Sequence, residues 1–361
     1  MRLMSMGRVV GISTMNTSIC FVLSLFLFPF SLTTTAYAQE LQYAQLGDFK
    51  LESGEILRDC RIGYRTFGTL DTNRSNAVLF PTWALGTTEQ LQSSIGPGKL
   101  VDSTEYYVIA VDALCNGVSS SPSNSKSQPR MHFPKVTIGD MVNTQHELLT
   151  KVLHLNHLKA VMGISMGGMQ TFQWMVTYPD FMNKAIPVVG SPRVSPYDLV
   201  FLRAQLRAIT NDPGWNNGNY AENPARVAEA EFLALILTTP DEYNRHMTRE
   251  KVTEELEKAK STTGFDSNDK IRQLQAIMAL DVSAPFGGSM ERAAAATKAK
   301  AFVIVATKDR AVNPAPTLDF ARLVHAKVLE LESDCGHLAP GCESEKVNRS
   351  VAEFLQHTSA P

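Results

Sequence analysis

The sequence predicts an α/β fold, a mostly parallel sheet with helices on both faces. Three observations point to it. Short apolar runs of strand length alternate with helical patterns between residues 43 and 189. One of those runs passes directly into a helix through a serine flanked by glycines, Gly163-Ile164-Ser165-Met166-Gly167. The alternation returns with Ala301–Thr307, after a purely helical stretch from Pro192 to Ala294.

The first residues read as a targeting segment rather than as part of the fold. Arg2 and Arg8 form a basic start, Ile19–Leu32 is an apolar core, and Ala36-Tyr37-Ala38 is an A-x-A cleavage site. The apolar run is short for a membrane span, so cleavage after Ala38 is expected over a retained anchor. That places the mature protein, beginning near Gln39, in a bacterial periplasm or outside the cell. The antiparallel hairpin expected next joins Tyr43–Leu51 to Arg58–Phe67 across a turn at Glu52-Ser53-Gly54-Glu55. Ala77–Phe80 and Tyr106–Val111 have the continuous apolar character of strands buried on both faces. Ile138–Leu155 carries a helical period in Met141, Val142, Leu148, Leu149 and Val152.

Ala160–Met162 is the strand that leads to Ser165, and Met169, Phe172, Met175 and Val176 mark one face of the helix after it. Strand, sharp turn and helix together read as a nucleophile elbow. Its glycines are required because a Cβ beside so tight a turn would strike the neighbouring backbone. Lys184–Val189 is a further strand. The helical patterns that follow are Pro196–Thr210, Ala225–Leu237, Arg249–Lys260 and Asp269–Leu280. Such an insertion, just downstream of the elbow, stands where a cap over a sheet-edge site would sit; a separate helical domain is the other reading. Ala301–Thr307 and Lys327–Leu331 are the last strands, and a helix over Ser344–Gln356 closes the chain. The organisation expected is residues 1–38 as signal peptide, 39–190 and 296–361 as core, and 191–295 as a helical lid.

Composition excludes some partners. With 34 basic and 36 acidic residues and no basic stripe, nucleic acid is not an expected partner. No membrane association is expected once the leader is gone. Four cysteines remain after cleavage, Cys60, Cys115, Cys335 and Cys342. In an oxidising compartment they admit three pairings. Cys335 and Cys342 bracket His337, so a bridge between them would close a small loop around that residue, although free thiols are equally consistent. No Cys/His spacing matches a metal site, and no cofactor is implied.

A serine hydroxyl is a weak nucleophile at neutral pH and needs a base, itself oriented by a carboxylate. Asp309 follows the strand Ala301–Thr307, and His337 follows Lys327–Leu331 just before the last helix. The order Ser165, Asp309, His337 is the one in which this triad is built on an α/β-hydrolase sheet. His132, in a polar loop, is the rival base, and Asp334 the rival carboxylate. The oxyanion that forms needs two N–H donors. One is expected from Met166, and the second from the loop Thr82–Gly86, at Ala84 in preference to Trp83.

The chain from Tyr43 to Phe354 resembles the homoserine O-acetyltransferases, a branch of the α/β-hydrolase superfamily. The resemblance is carried by Gly163–Gln170 with Tyr178-Pro179-Asp180, by Phe133–Val142, by Ala208–Tyr220 and by Leu280-Asp281-Val282. It implies an α/β-hydrolase fold with a helical lid, a triad of Ser165, Asp309 and His337, and acyl transfer through an acyl-serine. It also leaves a homodimer open. The family's Gly-His-Asp is here Gly336-His337-Leu338, and leucine cannot pair with the amino group of an acceptor. The family's substrate-binding arginine has no secure counterpart in Asn223–His246. An exported enzyme, moreover, meets water rather than acyl-CoA. The function expected is therefore a secreted or periplasmic serine esterase acting on a small-molecule ester, with an O-acyltransferase as the alternative. Leu199, Phe201, Leu202 and Leu206 are expected either to wall its acyl site or to form the core of the lid.

Overall fold

The computed structural model describes residues 40–224, 226–261 and 265–357; the segment read as a signal peptide, with its cleavage site at Ala38, lies outside the described residues. The chain enters the fold through β1 (Gln42–Lys50) and β2 (Ile56–Phe67), then β3 (Ala77–Pro81), α1 (Thr88–Leu91) and β4 (Tyr107–Val111). Helix α2 (Ile138–Glu147) leads to β5 (Leu158–Ile164), α3 (Met166–Thr177) and β6 (Met182–Val188). An all-helical insertion follows, with α4 (Pro196–Thr210), α5 (Arg226–Ile236), α6 (Pro240–His246), α7 (Arg249–Ser261), α8 (Ser267–Met278) and α9 (Met290–Ala296). The chain closes with β7 (Lys300–Ala306), α10 (Ala315–Leu323), β8 (Lys327–Leu331), α11 (Ala339–Cys342) and α12 (Ser344–Gln356).

The strands form one sheet in the order β1-β2-β4-β3-β5-β6-β7-β8. From β4 to β8 every pairing is parallel, and β1 and β2 join as the antiparallel edge that the hairpin pattern predicts. Side chains alternate between the faces, as a pleated strand requires. Ala77 and Leu79 of β3 enter one apolar core and Val78 and Phe80 the other; Val303 and Val305 of β7 are likewise separated from Phe302 and Ile304. Helices α2, α3 and α10 cover the first face. Helix α12 covers the second through Val347, Val351 and Leu355, three positions four residues apart on one stripe.

One helix ends earlier than its periodicity predicts. The α-helical hydrogen bonding of α2 stops at Glu147, a π-helical turn runs over Leu148–Val152, and His154 takes a left-handed φ of +53°. The wider turn keeps Leu148 and Leu149 buried while the chain swings back toward β5. Helix α10, which the periodicity reading passed over, contributes Phe320, whose ring meets Phe172 edge-on at 5.6 Å. The insertion is not a separate body: the described residues fall in one compact unit, and Leu202, Ile209, Ile271 and Leu274 share the core of the first face. Among the described residues no helix is long and apolar enough to cross a membrane.

Candidate active site

Ser165 leaves β5 at its carboxyl end with φ 57° and ψ −120°, a conformation that costs roughly 1–3 kcal/mol for a residue with a Cβ. Surrounding bonds hold it there: its N–H donates to the Val188 carbonyl at 2.9 Å and its own carbonyl accepts from the Met169 N–H at 2.9 Å. The glycines are forced by contact. A Cβ on Gly163 would lie 2.3 Å from the Gly167 carbonyl group, and one on Gly167 2.6 Å from the Pro81 oxygen. Helix and strand can approach this closely only without side chains.

Two loops from the other half of the sheet complete the cluster. Asp309 follows β7, and its Oδ1 accepts from the N–H groups of Ala311 and Val312 at 2.8 and 2.9 Å. Its Oδ2 stands 2.7 Å from His337 Nδ1. A carboxylate only accepts, so Nδ1 carries the proton and Nε2 is left as an acceptor. Nε2 lies 2.9 Å from Ser165 Oγ, which donates to it. The Asp309 side chain is 2 % exposed and that of His337 10 %. This is a relay of hydrogen bonds aimed at one hydroxyl, the arrangement that lets an imidazole withdraw a proton from a nucleophile.

The rivals stand elsewhere. Asp334 is held by Lys308 at 2.7 Å and Arg245 at 3.0 Å, while the imidazole that shares its loop pairs with Asp309. His132 closes a short turn over Arg130–His132, and among the described residues His337 is the histidine that reaches the cavity above Ser165. His146 stacks on Tyr178 with ring centres 4.0 Å apart. Cys335 and Cys342 form a disulfide around His337, whereas Cys60 and Cys115 are free and buried. Burial pushes the Cys60 thiol up to about 12, which makes it inert.

The cavity measures about 730 Å³, and Ser165, Met166, Trp83, Ala84 and His337 all contribute to its wall. Phe201 and Leu202 line it as predicted, but Leu199 and Leu206 do not; they pack against the apolar core instead. Leu199 and Leu206 lie on the stripe of α4 beside the one that Asp198, Phe201, Leu202 and Gln205 turn to the cavity, so the core reading holds for those two.

Two residues that the motif reading missed hold the loops in place. Gln273 of α8 accepts the Leu85 N–H at 2.7 Å and donates to the Leu114 carbonyl at 3.0 Å, fixing the loop that carries Ala84. Asp198 of α4 accepts from the Ser195 and Asn313 N–H groups at 3.3 and 3.2 Å, tying the insertion to the loop after Asp309. Burial raises its pKa, with the Asp309 charge adding to the effect. Ser195-x-x-Asp198 was legible as a capping box. Its second role, and that of Gln273, depends on partners distant in sequence.

A strand–serine–helix elbow on a parallel sheet, with histidine and aspartate from the loops after later strands beside the serine, defines a class. A family model for the alpha/beta hydrolase fold matches residues 78–340, and this chain belongs to that family. It is 31% identical to an ethyl acetate hydrolase of Pseudomonas veronii over 88% of this chain and 95% of the relative. It is 30% identical to a homoserine O-acetyltransferase of Methanococcoides burtonii over 87% of this chain and 72% of that protein. The solved structure of the acetyl esterase MekB superposes with a TM-score of 0.83 at 29% identity, covering 88% of this chain and 97% of that one. The relatives it aligns with are thus esterases and acyltransferases of the α/β-hydrolase fold, the branch that the resemblance named.

Proposed function

We propose that this chain is an exported serine esterase that hydrolyses small esters through an acyl-serine intermediate. The observation that carries the reading is the unbroken relay Ser165 Oγ–His337–Asp309 opening into the cavity. His337 takes the Ser165 proton as the oxygen attacks the ester carbonyl. The N–H groups of Met166 and Ala84 receive the oxyanion, His337 protonates the departing alcohol, and water activated at the same nitrogen releases the acid. Helices α4, α5 and α8 act as the lid that encloses the bound ester. Export is supported by the basic, apolar and A-x-A succession of residues 1–38.

Acyl transfer to an amino-alcohol is the second reading, favoured by the homoserine O-acetyltransferase relative. Against it stands the chemistry of the cavity wall. Leu338 occupies the position after His337, and the carboxylates nearby are committed, Asp198 to backbone amides and Glu229 to Lys270. An acceptor's ammonium would enter without a free counter-charge.

The test is hydrolysis of p-nitrophenyl acetate by the wild type and by Ser165→Ala, with a loss of roughly 10⁴–10⁶-fold in kcat expected. Retained turnover in the variant sinks the nucleophile assignment. Faster acetyl transfer to homoserine than to water would select the second reading.

A further inference from the structure

The cavity above Ser165 is largely apolar, and besides Asp198, Gln205 and Gln273 its insertion side carries an ion pair. Lys270 of α8 and Glu229 of α5 both line it, and Lys270 Nζ stands 2.6 Å from Glu229 Oε1. The Lys270 side chain is 4 % exposed. Burial lowers its pKa, opposed by the Glu229 charge, so the ammonium is poorly hydrated where it sits. An ammonium carries three N–H donors, and Glu229 is the partner the described structure provides for them. Donors on Lys270 remain unspent beside a largely apolar cavity wall. As a mere tether between α5 and α8 the pair would be a poor choice, because two apolar side chains of equal volume avoid the desolvation penalty.

The pair offers a donor and an acceptor side by side with no net charge. A carboxylate on the substrate would meet Glu229, and an ammonium would meet Lys270. A plain alkyl end would leave the spare N–H groups dry. A hydroxyl satisfies both, its oxygen accepting from Lys270 and its hydrogen donating to Glu229. We propose that Lys270 and Glu229 form a hydroxyl-recognising subsite, so that the preferred esters carry a hydroxyl on the arm reaching α5 and α8. This rests on the reading of Ser165 as an esterase nucleophile.

The experiment compares kcat/KM for alkyl acetates and ω-hydroxyalkyl acetates matched in heavy atoms, across a series of arm lengths. The wild type is expected to favour the hydroxylated ester by tenfold or more at one length. In Lys270→Met/Glu229→Leu that ratio should fall to one or below, while Glu229→Gln, which keeps an acceptor oxygen, should hold it within about threefold of the wild type. A ratio equal in wild type and double variant, or no preference at any length, overturns the subsite while leaving the esterase intact. Absence of any Ser165-dependent hydrolysis overturns both readings, which separates the two failures. Should the double variant not fold, competitive inhibition of the wild type decides: butane-1,4-diol must bind more tightly than butan-1-ol, and equal or weaker binding overturns the proposal.

Discussion

Ser165 combines a strained backbone with a hydrogen bond to an imidazole that arrives from 172 residues along the chain. Each part of that arrangement has its own signature on substitution. Asp309→Asn presents an amide where Nδ1–H needs an acceptor, and kcat on a short ester is expected to drop by roughly 10³–10⁴ with little change in KM. Gln273→Leu leaves the Leu85 N–H and the Leu114 carbonyl without their partner. It should cost about 1–3 kcal/mol in a denaturant titration. If the Ala84 loop positions the oxyanion, kcat should also fall roughly ten- to a hundredfold. An unchanged kcat in that variant would remove Ala84 from the mechanism. Ser165, Asp309 and His337 were legible because glycine spacing and strand order are local signals. Gln273, Lys270 and the tie from Asp198 to Asn313 were not, since a polar residue on a helix ordinarily reads as solvent-facing or as a cap.

At the level of elements, the elbow and the disulfide loop are the two devices that hold the relay. Gly163→Ala would drive a methyl group into the Gly167 backbone, where no flexible side chain can yield. A loss of about 3 kcal/mol and reduced soluble yield are expected. The Cys335–Cys342 bridge spans seven positions and encloses His337. Closing so small a loop contributes about 2–3 kcal/mol through the unfolded chain. Reduction, or Cys335→Ser/Cys342→Ser, should therefore lower Tm by several degrees and reduce kcat more than it raises KM, because the imidazole loses its anchorage. Two bracketing cysteines made the bridge one of several open pairings. The fold selected it by bringing the end of β8 and α11 together. The early end of α2 was illegible because Leu148, Leu149 and Val152 continue a helical spacing in the sequence, whereas the wider π-helical turn buries the first two and leaves Val152 exposed.

The whole molecule couples the insertion to the core through buried charge. Asp269, in the first turn of α8, accepts from the Ser123 N–H at 2.9 Å and its hydroxyl at 2.6 Å. Burial pushes its pKa up to about 7, with the Asp266 charge adding and the Ser123 bonds opposing. A folded pKa above the unfolded one means that the native state binds the proton more tightly. This group's contribution is thus full below pH 4 and declines as pH rises toward 7, at up to about 1.4 kcal/mol per unit. Asp269→Asn keeps the acceptor oxygen and removes the titration. The difference in unfolding free energy between variant and wild type should grow in the variant's favour from pH 4 to 7, and a flat difference would refute the assignment. By itself the sequence determined the fold class, the strand–turn–helix elbow and the three residues of the relay, because period, glycine placement and motif spacing are short-range properties of a chain. Only the tertiary structure decided which polar side chains of the insertion turn inward, which cysteines pair, and how α4, α5 and α8 close over Ser165. Those outcomes depend on which distant backbone groups need a partner once the helices are packed against the sheet.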